Sequence, residues 1–274
     1  MHLPIGDRTL AVACSSWSFA CLSLEESIRV IRSLGFSHID IGFSHLEING
    51  SDSPRRQGGL LKKRLEREGL RLSDLFPLLP FETNDPNLLH REENSRVFRR
   101  VVEFAAGCNA PGITLKPGIR QPSASDEGWL AAVEVLKECA AAAGAASLPL
   151  SVEPHVDSIV EDPRSAWLLL ESVPEIGITL DYSHFVSRGF EVAEAEPLQP
   201  YVRHVHIRQA RKGKLQTTAR NGAIPIRRIL EQLVARGYRG AICLEYQNSD
   251  WHDCNDIDVI SETIATLKEL GLRP

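Results

Sequence analysis

Hydrophobic positions along the chain fall into two alternating periods. Short apolar runs of strand length occupy residues 11–17, 38–43, 71–79, 112–118, 148–154, 177–183, 202–209 and 241–247. Between them lie longer stretches whose apolar residues recur at helical spacing. The first of these, SLEESIRVIRSLG, opens on Ser23 with Glu26 three residues on, a capping-box pattern, and its apolar residues at 28, 30, 31 and 34 share one face. The others are GGLLKKRLEREG, ENSRVFRRVVEFAAG, DEGWLAAVEVLKECAAAAG, DPRSAWLLLESV, PIRRILEQLVARG and DIDVISETIATLKELG. Pro163 and Pro225 suit first helical turns, and Gly35, Gly69, Gly144, Gly237 and Gly271 follow helices. Two places are weaker. The run at 71–79 reads equally well as an extended loop, and the sixth connection, between Ser183 and Tyr201, permits only a short or irregular helix.

Eight strand-like runs alternating with helices predict an α/β fold, a single (β/α)8 TIM barrel occupying residues 1–274 as one domain. The rival, an open doubly wound sheet, needs a glycine-rich phosphate loop after its first strand. CSSWSFACLS contains no glycine.

Four of the later apolar runs end on ionisable residues: Glu153 in LSVEPH, Asp181 with His184 in TLDYSH, His206 in HVHIRQ and Glu245 in CLEYQ. A strand buried on both faces should carry Val, Ile and Leu, so a carboxylate at its end costs desolvation unless something compensates. Any one of them alone is as well explained by a helix cap, an arginine partner or a hydrogen-bonded core histidine. Their recurrence in corresponding positions of consecutive units points to strands converging on one divalent cation. Three carboxylates and one imidazole make an oxygen-rich set that suits Mn²⁺ foremost, with Mg²⁺, Co²⁺ and Zn²⁺ also accommodated. Period-two alternation sets His204, His206 and Arg208 on one face, with His204 deeper. His155 and Lys116, in VEPH and TLKPG, stand at other strand ends, and Trp17 and Trp251 lie in loops at the same end.

Composition removes other classes of function. The 274 residues are 43% hydrophobic with a net charge of −5, which offers no electrostatic case for nucleic acid or an anionic membrane. The six cysteines form no CxxC pair and suit a reducing cytosol. No segment approaches about 18 uninterrupted apolar residues, and MHLPIGDRTLAVACSSW lacks a secretory pattern, so a cytoplasmic protein is expected. Homo-oligomerisation is compatible with a barrel of this kind.

With Glu153 in VEPH, Asp181 and His184 in DYSH, His206 in HVHIRQ and Glu245 in GYRGAICLEY, the chain resembles the xylose isomerase-like TIM-barrel superfamily, in its sugar phosphate isomerase/epimerase branch. The resemblance implies a metal held by Glu153, Asp181, His206 and Glu245. It also implies that His184 and a basic residue near Arg208 contact substrate oxygens. Many relatives carry Lys-Asp after the strand-seven histidine, where this chain has Arg208-Gln209; Arg211 is a further candidate for that role. The expected activity is isomerisation or epimerisation of a keto-sugar or related polyol derivative. Glu153 and Glu245 would act as acid and base across an enediolate stabilised by the metal. His184 and Arg208 would hold substrate groups, His155 would orient a ligand or shuttle a proton, and Lys116 is a further substrate contact. The same intermediate can expel a β-hydroxyl, so a metal-dependent dehydratase is the nearest alternative. An apurinic endonuclease-like enzyme would need more metal ligands and a basic groove, and a non-catalytic barrel subunit need not retain the four ligand positions.

Overall fold

A computed structural model describes residues 1–46, 48, 53–120 and 126–273. Eight parallel strands form the barrel: β2 (Arg8–Ser15), β3 (His38–Gly42), β4 (Arg71–Phe76), β5 (Ile113–Leu115), β6 (Leu150–Val152), β7 (Gly177–Asp181), β8 (Val202–Ile207) and β9 (Ile242–Leu244). Each pairs with the next in chain order, and β9 pairs back onto β2, which closes the sheet. Closure leaves no barrel edge to solvent. The expected (β/α)8 barrel is therefore what the chain forms. The run at 71–79 is a true strand over Arg71–Phe76, paired along β3 from His38↔Arg71 to Gly42↔Phe76. A further strand, β1 (His2–Ile5), was not anticipated; it folds back antiparallel on β2 through a turn at Gly6, φ 58°, and buries Leu3 and Ile5.

Helices α1 (Leu24–Ser33), α2 (Pro54–Arg67), α3 (Leu88–Cys108), α4 (Asp126–Ala145), α5 (Pro163–Ser172), α8 (Ile226–Ala235) and α9 (Val259–Glu269) wrap the strands. Ser23 and Glu26 form the reciprocal cap that their spacing predicts. The sixth connection breaks into α6 (Tyr182–Arg188), α7 (Val192–Ala195) and a 3-10 turn over Glu196–Tyr201. Gly144 is a correction, because α4 runs through it to Ala145 and Ser147 takes the left-handed conformation that ends the segment. Among the described residues no helix is long and apolar enough to cross a membrane.

Small residues set how closely the helix layer packs. Gly58 and Gly107 face each other across α2 and α3. A Cβ on Gly58 would fall on the carbonyl oxygen of Phe104, and one on Gly107 on that of Arg55. Sequence spacing starts α2 at Gly58 and Gly59, but Pro54 at its first turn starts it earlier and leaves Gly58 inside. Inside the barrel a polar layer replaces the usual aliphatic filling. Arg203 forms a bidentate pair with Asp74 at 2.9 and 3.0 Å and also donates to Ser151 and Thr114. Thr179 joins the layer at 2.7 Å from Thr114 and 2.6 Å from Ser151. These groups satisfy one another, so the layer is a closed hydrogen-bond network beneath the strand ends that carry Glu153, Asp181, His206 and Glu245.

Gly58→Ala provides a direct check of the α2–α3 approach. Helix propensity alone would favour alanine by about 1 kcal/mol, whereas overpacking against backbone costs about 1–3 kcal/mol. The expected result is a lower midpoint in thermal unfolding; an unchanged or higher midpoint would show that the helices have room to separate.

Candidate functional site

The C-terminal ends of the strands bring the predicted ionisable residues into one buried cluster. Glu153 follows β6, Asp181 ends β7, His206 lies in β8 and Glu245 follows β9. Their exposures are 1%, 1%, 3% and 2%, so they lie together out of solvent. His206 is the hub. Its Nδ1 stands 2.6 Å from Glu153 Oε1 and 3.3 Å from Glu245 Oε2, while its Nε2 stands 3.3 Å from Asp40 Oδ2. Glu153, His206 and Glu245 place ligand atoms within 4.8 Å of one another. Asp181 is not part of that tight set. It caps α6 through Oδ1, which accepts the Ser183 N–H at 2.8 Å, and turns Oδ2 toward Arg208 Nη2 at 2.9 Å.

Electrostatics follow from burial. Burial raises Glu153 to about 7, against the pull of His206 and with help from the neighbouring charges of Glu245 and Asp181. Burial alone would lower His206, but Glu245 and Glu153 beside it raise it well above the ordinary histidine range. Burial would raise Asp40, yet His204 and His206 hold it well below the usual carboxylate range. The cluster is thus an imidazolium amid carboxylates, with the Arg208 guanidinium at its rim. Negative charge still exceeds positive. Asp181 Oδ2 and Glu245 Oε2 are buried oxygens that accept no aligned hydrogen bond, despite the nearby cations. Buried, unsatisfied carboxylate oxygens beside a third carboxylate and an imidazole nitrogen fit a divalent cation.

Beyond this set, His184 Nδ1 accepts the Val156 N–H at 3.2 Å, and its Nε2 lies 3.7 Å from Asp181 Oδ2 and 4.0 Å from Glu153 Oε2. Burial keeps His184 neutral, with its pKa well below the ordinary range. Arg208 is 1% exposed; its Nε donates to Ser183 Oγ at 2.8 Å, its Nη2 stands 3.0 Å from His184 Nε2, and its Nη1 has no partner among the described residues. His155 Nδ1 lies 2.7 Å from the Val156 carbonyl, and burial lowers this ring to about 4, so it is a neutral group that donates to that carbonyl and leaves Nε2 as an acceptor. Lys116 stands 3.4 Å from Glu82, and its charge is among those that lower His155. Arg211 is exposed, in a tight turn where its N–H meets the Lys214 carbonyl.

Trp251 stacks on His155 with centroids 4.9 Å apart and 21° between planes. It packs with Val156, Leu215 and Cys254 as a small apolar cluster separate from the main core. Trp17 sits edge-on to Phe43 and Phe76, and Phe76 stacks over His206 at 6.3 Å.

The residue that sequence reasoning missed is Asp40. Its Oδ2 lies 2.6 Å from His204 Nε2 and reaches His206, while Ser73 donates to its other oxygen. A carboxylate that fixes the far nitrogen of a ligating histidine is a common supporting device in metal sites. The signal was present as an aspartate between two isoleucines in HIDIGF. Cys243 also approaches this deeper group, but its His204–Asp40 contact is already a short hydrogen bond.

The sequence model described as a xylose isomerase-like TIM barrel matches residues 28–270. Among solved structures the chain is similar to an L-ribulose 3-epimerase, with a TM-score of 0.78 and 16% identity over 96% of this chain and 94% of that one. It is also similar to the 3-keto-D-glucoside 4-epimerase from E. coli, at 0.74 and 16% over 96% and 99%. The probable 3-DHS dehydratase from Bacillus anthracis gives 0.70 and 15% over 94% and 99%. Likeness at this identity speaks for the fold alone. In sequence, 67 residues are 39% identical to the C-glycoside deglycosidase alpha subunit of Arthrobacter globiformis, a match covering 23% of this chain and 17% of that subunit.

The excess of buried negative charge makes a testable demand on the metal-free protein. Burial disfavours the charge on Glu153, and Glu153→Gln keeps the shape and removes it, so the chelated variant should unfold at a higher temperature than the chelated wild type at neutral pH. A lower midpoint would mean that the Glu153–His206 attraction outweighs the repulsion within the cluster.

Proposed function

Since the chain belongs to the xylose isomerase-like TIM-barrel family, we propose that it is a divalent-metal-dependent isomerase or epimerase acting on a keto-sugar or related polyol derivative. The observation that carries this reading is the buried group of Glu153, His206 and Glu245, with orphaned oxygens on Glu245 and Asp181. Glu153, Asp181, His206 and Glu245 would hold the metal, Mn²⁺ foremost. A bound divalent cation supplies a Lewis acid for a substrate carbonyl and its neighbouring hydroxyl.

The chain's own residues account for the rest of the chemistry. Glu153, buried and 2.6 Å from His206, is the carboxylate that would take a proton from the carbon beside the carbonyl. Glu245 is the second carboxylate, facing the same His206 nitrogen as Glu153 at 3.3 Å, and would return or receive that proton. Return to the same carbon from the opposite face inverts its configuration; return to the neighbouring carbon moves the carbonyl. Asp40 holds the far nitrogen of His206, which keeps the nitrogen that faces the two glutamates in register. Arg208, with one nitrogen unpartnered, and His184 would hold substrate oxygens. Trp251 and His155 exclude water above the site.

A second reading is elimination, in which the same proton abstraction is followed by loss of a group β to the carbonyl. Its specific support is the 67-residue likeness in sequence to a C-glycoside deglycosidase subunit, whose name describes release of a group from a sugar. One experiment tests both. The Mn²⁺-loaded protein is incubated with D-tagatose, L-ribulose and a 3-keto-D-glucoside in D₂O, and products are followed by NMR. Deuterium beside the carbonyl with the carbon skeleton intact is the expected result. Release of water or of the aglycone would favour elimination, and no exchange in any sugar would overturn the proton-transfer reading. Glu153→Gln should lower the exchange rate by roughly 100-fold or more, as expected for removal of an acid–base group.

A further inference from the structure

Gln247 stands two residues beyond Glu245 on the same barrel wall, where Glu245 N–H extends the ladder to the Ile207 carbonyl at 3.0 Å. The residue is 1% exposed. Its main chain is fully engaged: Gln216 Oε1 accepts the Gln247 N–H at 2.7 Å, and Gln216 Nε2 donates to the Gln247 carbonyl at 2.8 Å. Gln216 Nε2 also donates to the Cys254 carbonyl at 2.9 Å, which ties this wall to the Trp251 segment. The Gln247 side chain does none of this. Neither its Oε1 nor its Nε2 has a hydrogen-bond partner among the described residues, and Ser249 Oγ two positions on is buried and unpartnered as well.

A carboxamide out of water with both ends unpaired carries the full desolvation penalty at each end. Native cores rarely tolerate that, and an apolar side chain of similar shape would serve packing better. Gln216 shows that this neighbourhood can satisfy a buried glutamine where the fold needs one. A group left unsatisfied at the end of a barrel strand, beside the site, points to a partner that arrives with the substrate.

We propose that Gln247 is a specificity-determining residue whose carboxamide hydrogen-bonds hydroxyl groups of the sugar; this rests on the sugar-enzyme reading above. The chemistry of the group narrows the substrate class. A phosphate or carboxylate only accepts, so it would engage Nε2 and leave Oε1 unpaired against negative charge. Hydroxyls both donate and accept, and a neighbouring pair satisfies both ends of the carboxamide. The portion of substrate against this wall is therefore polyhydroxylated and uncharged.

The test compares Mn²⁺-loaded wild type with Gln247→Met, which keeps the volume and removes both polar ends. Thermal unfolding without sugar and the kinetics of deuterium exchange with the three sugars named above are measured on each. The expected variant unfolds at the same or a higher temperature, shows a KM raised about tenfold or more, and keeps kcat within about threefold. A variant that fails to fold or unfolds at a clearly lower temperature would assign the carboxamide to the structure and overturn the proposal. An active wild type with unchanged KM in the variant would overturn it alone. A wild type that exchanges deuterium into no sugar would overturn the functional reading, and the Gln247 assignment with it.

Discussion

His206, held between Glu153, Glu245 and Asp40, is the contact on which the rest of the site depends. Carboxylates that would repel one another in a low dielectric are brought together because one ring presents a nitrogen to each side. The ring alone does not balance them. Arg208 adds a second positive charge beside Asp181, yet oxygens on Asp181 and Glu245 stay unsatisfied. A divalent cation would compensate such a cluster and turn a concentration of like charge into a binding site.

The scaffold makes that concentration tolerable by rigidity. The closed sheet fixes where each strand ends, and β8 runs Arg203, His204 and His206 inward at successive levels. At the lowest level Arg203 is neutralised by Asp74; at the next His204 meets Asp40; at the top His206 meets the glutamates. Opposite charges are thus paired in layers along one strand, and only the top layer is left incomplete. That gradient concentrates the unsatisfied chemistry at the end of the barrel where the loops converge.

Much of this was legible in the sequence. Alternating periods gave the barrel, because strands buried on both faces and amphipathic helices leave distinct patterns, and the Ser23–Glu26 cap fell where its spacing put it. Carboxylates at strand ends were visible because they interrupt apolar runs. What stayed hidden depends on contacts distant in the chain. Asp40 reaches His204 and His206 across 164 and 166 residues, and its role needed the barrel to close. Lys116 was singled out by its strand-end position, and the contact with Glu82 in the preceding loop could not be read from spacing. Asp181 caps α6 with one oxygen, as a strand-end aspartate alone can, while the Arg208 partner of its other oxygen depends on how β7 and β8 pair. Gln247 could not be found by spacing at all, since the signal is the absence of partners for a buried side chain.

The account stands or falls on whether the buried carboxylates recruit a cation. The most direct measurement is bound Mn²⁺ per chain after reloading and extensive dialysis, in wild type and in Glu245→Gln. Retention of about one ion per chain by the wild type, lost or clearly weakened in the variant, is the predicted result. No retained metal in the wild type would contradict it and would leave the cluster as a structural network of a barrel whose chemistry lies elsewhere.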